Sequence, residues 1–139
     1  MNQEALEKIL PHRPPMLLLD EVDILPDGKA RGRYHVRGDE FFLQGHFPGN
    51  PVVPGVILCE MMAQTCAVLI ADALEDGTPF FSGIQKALFR RKVVPGDTVE
   101  FLCEIKRKLG HFYFAAGEGN VSGEPCVGGE FSVAVIREA

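Results

Sequence analysis

The run GVILCEMMAQTCAVLIADAL, residues 55–74, decides the architecture of this chain. It is rich in helix formers and apolar on nearly every side, the pattern of a helix buried all round. Such a helix needs a coat. Its length also suits a membrane crossing, but Glu60 and Gln64 near one end, and the lack of a second apolar segment, favour a core helix over a span.

The flanking segments supply that coat, because they alternate with a period of two. Ala30, Gly32, Tyr34 and Val36 oppose Lys29, Arg31, Arg33 and His35, and Val99, Phe101, Cys103 and Ile105 oppose Thr98, Glu100, Glu104 and Lys106. This marks antiparallel strands with one buried face. Residues 16–24, 80–93, 112–121 and 127–137 read as further strands, with turns at PDGK (26–29), PGD (95–97), around Gly110 and at SGEP (122–125). One long helix and about six strands predict an α+β fold, most simply a curved antiparallel sheet wrapped on the helix. At 139 residues the chain is expected to form a single domain, 1–139.

Composition narrows the class. Apolar residues are 46% and charged residues 24%, close to globular averages, which argues against disorder. The opening MNQEALEKIL lacks a basic stretch leading into an apolar one, so no signal peptide is expected and a cytoplasmic location is. Cys59, Cys66, Cys103 and Cys126 show no CxxC or zinc-ligand spacing, and in a reducing compartment buried thiols are expected rather than disulfides or a metal site. A net charge of −5 argues against nucleic acid as a partner. Lys86, Arg90, Arg91 and Lys92 nevertheless gather positive charge in one short segment, which reads equally as a solvated strand face or a docking patch.

Upstream of the helix lies QGHFPGNPVVPG, 44–55, where Gly45, Pro48, Gly49 and Pro51 stiffen the backbone around His46. A rigidly held imidazole suits a general base, although a turn histidine satisfied by backbone fits the same residues. Pro54 suits the first helical turn, but Val53 has no side-chain acceptor for the orphan amides there. Gly55 leaves room for a ligand carbonyl to approach those N–H groups and the positive end of the helix, as an oxyanion site would require; water or a distant loop would satisfy them as well. Glu60 sits about 7.5 Å further along the axis, with Gln64 four residues on along its face. Among Leu58, Cys59, Met61 and Met62, desolvation is expected to raise its pKa and make it a proton donor, unless it is an interfacial glutamate with a partner.

The stretch GHFPGNPVVPG, followed by a helix carrying Glu60 and MAQ, closely resembles the (3R)-hydroxyacyl-acyl carrier protein dehydratases of bacterial fatty acid synthesis. LPHR (10–13) with LLLDEV (17–22) before it, and GIQKALFRRKVVPGD (83–97) after it, extend the likeness over most of the chain. The resemblance implies a hot-dog fold, a sheet wrapped round the central helix. It implies His46 as catalytic histidine, Glu60 as its acidic partner from the other subunit, the Gly55 amide as donor to the thioester carbonyl, and Phe47 and Gln64 beside the substrate. It implies a homodimer with shared sites, commonly three such dimers in a hexamer, and an acyl carrier protein whose 4'-phosphopantetheine arm bears the acyl group, docked on Lys86, Arg90, Arg91 and Lys92. No cofactor is implied, and no GxGxxG or P-loop is present. Isomerising relatives usually carry aspartate at the position of Glu60, which favours the plain dehydratase. A hot-dog thioesterase and a noncatalytic acyl-binding subunit are the rival readings; retention of both His46 and Glu60 speaks for elimination. The chain departs from the family pattern at Pro14, Gln85 and Lys92.

Overall fold

The computed structural model describes residues 1–45 and 49–137. A short helix α1 (Gln3–Glu7) is followed by β1 (Glu21–Ile24), β2 (Ala30–His35), a 3-10 turn at Phe41–Leu43 and the helix α2 (Gly55–Ala67). A 3-10 turn at Val68–Ile70 and α3 (Ala71–Leu74) continue α2; β3 (Thr78–Phe89), β4 (Thr98–Leu109), β5 (Phe112–Val121) and β6 (Glu124–Ile136) complete the chain. The six strands form one antiparallel sheet in the order β1-β2-β4-β5-β6-β3. The sheet curls round α2, which touches five of the six strands. This is the hot-dog arrangement.

The helix is buried as its composition predicts, from Leu58 through Ala67, with Glu60 half-buried. Met61 and Met62 are among the least exposed side chains, beside Phe101 of β4 and Leu18 and Leu19 before β1. Close approach of helix to sheet depends on Gly32: a Cβ there would overlap the Thr65 side chain. In β2, Ala30, Gly32 and Tyr34 are buried and Arg31, Arg33 and His35 exposed, the alternation read from sequence.

Three strand boundaries differ from expectation, each for a physical reason. Residues 16–20 are not strand; β1 begins only at Glu21. The Leu18 N–H donates to Gln64 Oε1 at 2.9 Å and the Met16 carbonyl accepts from Gln64 Nε2 at 2.8 Å, so a helix side chain replaces a neighbouring strand. β3 stops at Phe89, after which the chain bends so that the Val93 carbonyl meets the Val53 N–H at 2.8 Å, just before α2. The β5–β6 turn is tighter than SGEP. Ser122 and Gly123 both have positive φ, 50° and 79°, the signature of a two-residue hairpin loop, and Val121 pairs with Glu124.

Candidate active site

Alpha-helix α2 begins at Gly55, with Pro54 as N-cap rather than inside the first turn, and no side chain caps it. The Pro54 carbonyl receives the Ile57 and Leu58 N–H groups, so the amides of Gly55 and Val56 are the ones turned toward the helix mouth. Over them lies a cavity of about 660 Å³ whose floor includes Val53, Gly55 and Phe89 and whose rim carries Arg90, Arg91 and Lys92. The Phe89 ring sits so close that a Cβ on Gly55 would lie 2.8 Å from it. Any larger residue at 55 would push the ring into the groove.

The cations do not all behave alike. Arg91 points at carboxylates of its own chain, Asp97 at 3.6 Å and Glu124 at 3.8 Å. Lys86 on β3, Arg90 and Lys92 are exposed. Phe89 had not been singled out from sequence, where it is one aromatic in a strand-like run.

Glu60 lies five residues beyond Gly55, about 140° round the helix, and so faces a different place. Its Oε1 accepts from Gln64 Nε2 at 3.1 Å and stands 3.4 Å from His12 Nε2. Gln64, expected on this face, and His12, which was not singled out, thus give Glu60 two polar neighbours, and the side chain keeps 23% of its surface exposed. The recess beside it is about 30 Å³, room for about one water molecule, and is walled by His12, Pro79, Phe80, Phe81 and Val133. Gln64 is 1% exposed, and its amide joins Leu18, Met16 and Glu60. His46 and Phe47 lie outside the described residues.

The segment leading to His46 is anchored by a residue that sequence reasoning missed. Glu40 is buried, and its carboxylate accepts from the Tyr34 hydroxyl at 2.7 Å and the N–H groups of Arg37 at 2.9 Å and Gly38 at 2.7 Å. Burial alone would raise the Glu40 carboxyl, but these donors outweigh it and hold the group below its ordinary value. Burial and the same hydrogen bond push the Tyr34 phenol up. The only sequence signal was the short spacing of Tyr34 and Glu40 across the RGD turn.

The cysteines offer no nucleophile. All four are buried and unpaired; burial raises the thiols of Cys59, Cys103 and Cys126, and pushes Cys66 up to about 12.

Residues 10–128 match the FabA-like domain. The chain belongs to the FabA-like family. A 3-hydroxyacyl-acyl-carrier-protein dehydratase, FabZ, of Clostridium perfringens is 39% identical over 137 residues, covering 97% of this chain and 99% of that one. The FabZ dehydratase of Cereibacter sphaeroides is 44% identical over 134 residues, covering 93% and 86%. The dehydratase heterocomplex ApeI:P from Xenorhabdus doucetiae shares the fold, with a TM-score of 0.82 at 21% identity over 96% of this chain and 91% of that one. The full-length likeness to dehydratases confirms the family read from GHFPGNPVVPG and its flanking motifs.

Proposed function

We propose that this dehydratase carries out its elimination in a site built by two subunits, with His46 of one chain and Glu60 of its partner. The family reaction converts a 3-hydroxyacyl thioester on acyl carrier protein to the 2-enoyl thioester and water in fatty acid synthesis. His46 accepts the C2 proton while the Gly55 N–H donates to the thioester oxygen, where enolate charge develops. Glu60 gives its proton to the C3 hydroxyl; the C3–O bond breaks, water leaves, and the C2 electron pair becomes the C2–C3 double bond. Solvent exchange then returns one proton to Glu60 and removes one from His46.

The observation that carries this reading is the divergence of Gly55 and Glu60. They stand on one helix yet open onto separate cavities, and the Glu60 recess is walled by Pro79, Phe80 and Phe81 of β3. β3 is a sheet edge of 12 residues, with Phe80, Ile84, Leu88 and Phe89 each at least 41% exposed. A long apolar edge is a template for pairing. In this reading a second copy pairs along that edge and supplies the histidine that works with Glu60. Three such dimers in a hexamer complete the assembly implied by the family resemblance. The exposed Lys86, Arg90 and Lys92 receive the acidic carrier protein, whose acyl arm enters the groove over Gly55 past Phe89, with Phe47 lining the chain's path.

The test is His46→Ala and Glu60→Gln, assayed as hydration of a trans-2-enoyl thioester by loss of its conjugated absorbance. Both are expected to lose about 10²-fold or more in kcat with unchanged circular dichroism. Near wild-type turnover in either would sink the assignment.

A further inference from the structure

His12 belongs to no step above, yet it stands beside the Glu60 carboxylate. Its Nε2 lies 3.4 Å from Glu60 Oε1, loose for a hydrogen bond, as catalytic contacts often are before substrate tightens them. Its Nδ1 is buried and, among the described residues, has no hydrogen-bond partner.

The network fixes which atoms carry protons. Gln64 cannot be flipped, because its Oε1 accepts from the Leu18 N–H; its Nε2 end must therefore face Glu60 and the Met16 carbonyl. Oε1 of Glu60 already accepts from Gln64 and faces His12, so of the two oxygens Oε2, which among the described residues has no hydrogen-bond partner, is the one left to carry the acid proton. His12 follows from the same logic. An imidazolium, or the Nδ1–H tautomer, would bury an N–H donor with no acceptor, whereas the Nε2–H tautomer leaves only a bare lone pair there and aims its donor at Oε1.

We infer that His12 is a positioning residue for the elimination: with Gln64 it holds Oε1 of Glu60 as an acceptor, so that Oε2 carries the proton given to the leaving hydroxyl. The inference rests on Glu60 as the acid. His12 reaches the reaction only through Glu60, and its loss alters proton delivery rather than substrate binding.

The experiment compares His12→Leu, His12→Gln and His12→Asn with a carrier-linked 3-hydroxyacyl substrate. A glutamine Nε2 falls near the position of a histidine Nε2, while an asparagine amide falls near Nδ1 and does not reach. His12→Leu and His12→Asn are expected to lose about tenfold in kcat, the scale of one hydrogen bond to a charged group, with KM unchanged within about twofold. His12→Gln should recover most of that loss. In a Glu60→Asp background, whose shorter carboxylate is withdrawn from His12, the change to Leu or Asn should cost less than about twofold more. Equal losses in the Gln and Asn variants, turnover close to wild type in all three, or losses that multiply with Glu60→Asp would overturn the inference. If His12→Leu fails to fold, the Gln and Asn pair decides alone. A Glu60→Gln enzyme of near wild-type rate would remove the acid itself and both readings together, whereas an inactive Glu60→Gln with indifferent His12 variants removes only this one.

Discussion

The two cavities served by α2 differ in nearly everything except the helix that serves them. The groove over Gly55 is wide, lined by apolar side chains and the start of α2, and carries Arg90, Arg91 and Lys92. The recess at Glu60 is small, with a hydrogen bond from Gln64 and the His12 imidazole at 3.4 Å, and one wall is the open edge of the sheet. In the proposed reaction the groove receives the acyl arm and the recess delivers the proton. Substitutions in the recess should therefore act on kcat and on folding, and substitutions at the groove rim on KM.

The largest effect belongs to the recess. Glu60→Gln preserves the hydrogen bond from Gln64 but has no acid proton to give, so kcat should fall about 10²- to 10⁴-fold while KM for the carrier-linked substrate hardly moves. A rise in KM with kcat preserved would merge the two cavities into one binding surface.

Gln64→Leu comes next, measured as stability. It strands the Leu18 N–H and the Met16 carbonyl, two backbone groups whose partner is this amide. One buried and one part-buried group left unsatisfied correspond to about 2 kcal/mol, seen as a midpoint shift in urea. A loss below about 1 kcal/mol would mean that water reaches the 16–18 segment and that Glu60 is less firmly held.

At the rim, Arg90→Glu with Lys92→Glu should raise KM for the carrier-linked substrate about tenfold, most at low ionic strength, and leave a pantetheine thioester nearly unaffected. Arg91→Glu should instead destabilise the fold, because it sets a third carboxylate beside Asp97 and Glu124. Equal KM changes on both substrates would place the cations in the pocket rather than at a docking surface.

The smallest effect concerns Glu40 and pH. Its folded pKa lies below the unfolded value, so its ionised form adds stability that is present above the unfolded pKa and lost as pH falls through the folded one. Glu40→Gln should cost about 1 kcal/mol near neutral pH and progressively less toward about pH 3, flattening the acid limb of the stability curve. An acid limb unchanged by the substitution would assign that limb to other carboxylates.

What the sequence discloses, and what it withholds, follows from how local each signal is. The helix was legible because an apolar run of that length has only the centre of a small domain to occupy, and β2 and β4 because one wet face and one dry face impose alternation. Residues 16–20 also read as strand, an apolar run ahead of β1, yet Met16 and Leu18 bond to Gln64, 46 residues on from Leu18, and no local pattern encodes that. α1 was missed although Asn2 caps it through the Ala5 N–H, because five residues carry too little periodicity. Glu60 and Gly55 were singled out by chemistry that jars with its surroundings, a carboxylate in an apolar run and a glycine at a helix start. His12 was quoted only as part of a motif, since its meaning depends on a carboxylate 48 residues away in the chain. The Glu60 environment was legible only in part for the same reason: Gln64, one helical turn on, was placed beside it, and His12, far off in the chain, was not.

The claim that the site is shared is tested most directly by mixing two inactive chains. A dimer of one His46→Ala chain and one Glu60→Gln chain has one site with both lesions and one with neither. After joint unfolding and refolding, half the dimers are mixed and half their sites intact, so recovery should approach about a quarter of wild-type activity for a two-fold interface. If one chain supplied both residues, every site would carry a lesion and the mixture would stay at background. Persistent inactivity, once native mass spectrometry of differently tagged chains has shown that subunits exchanged, would contradict the shared site.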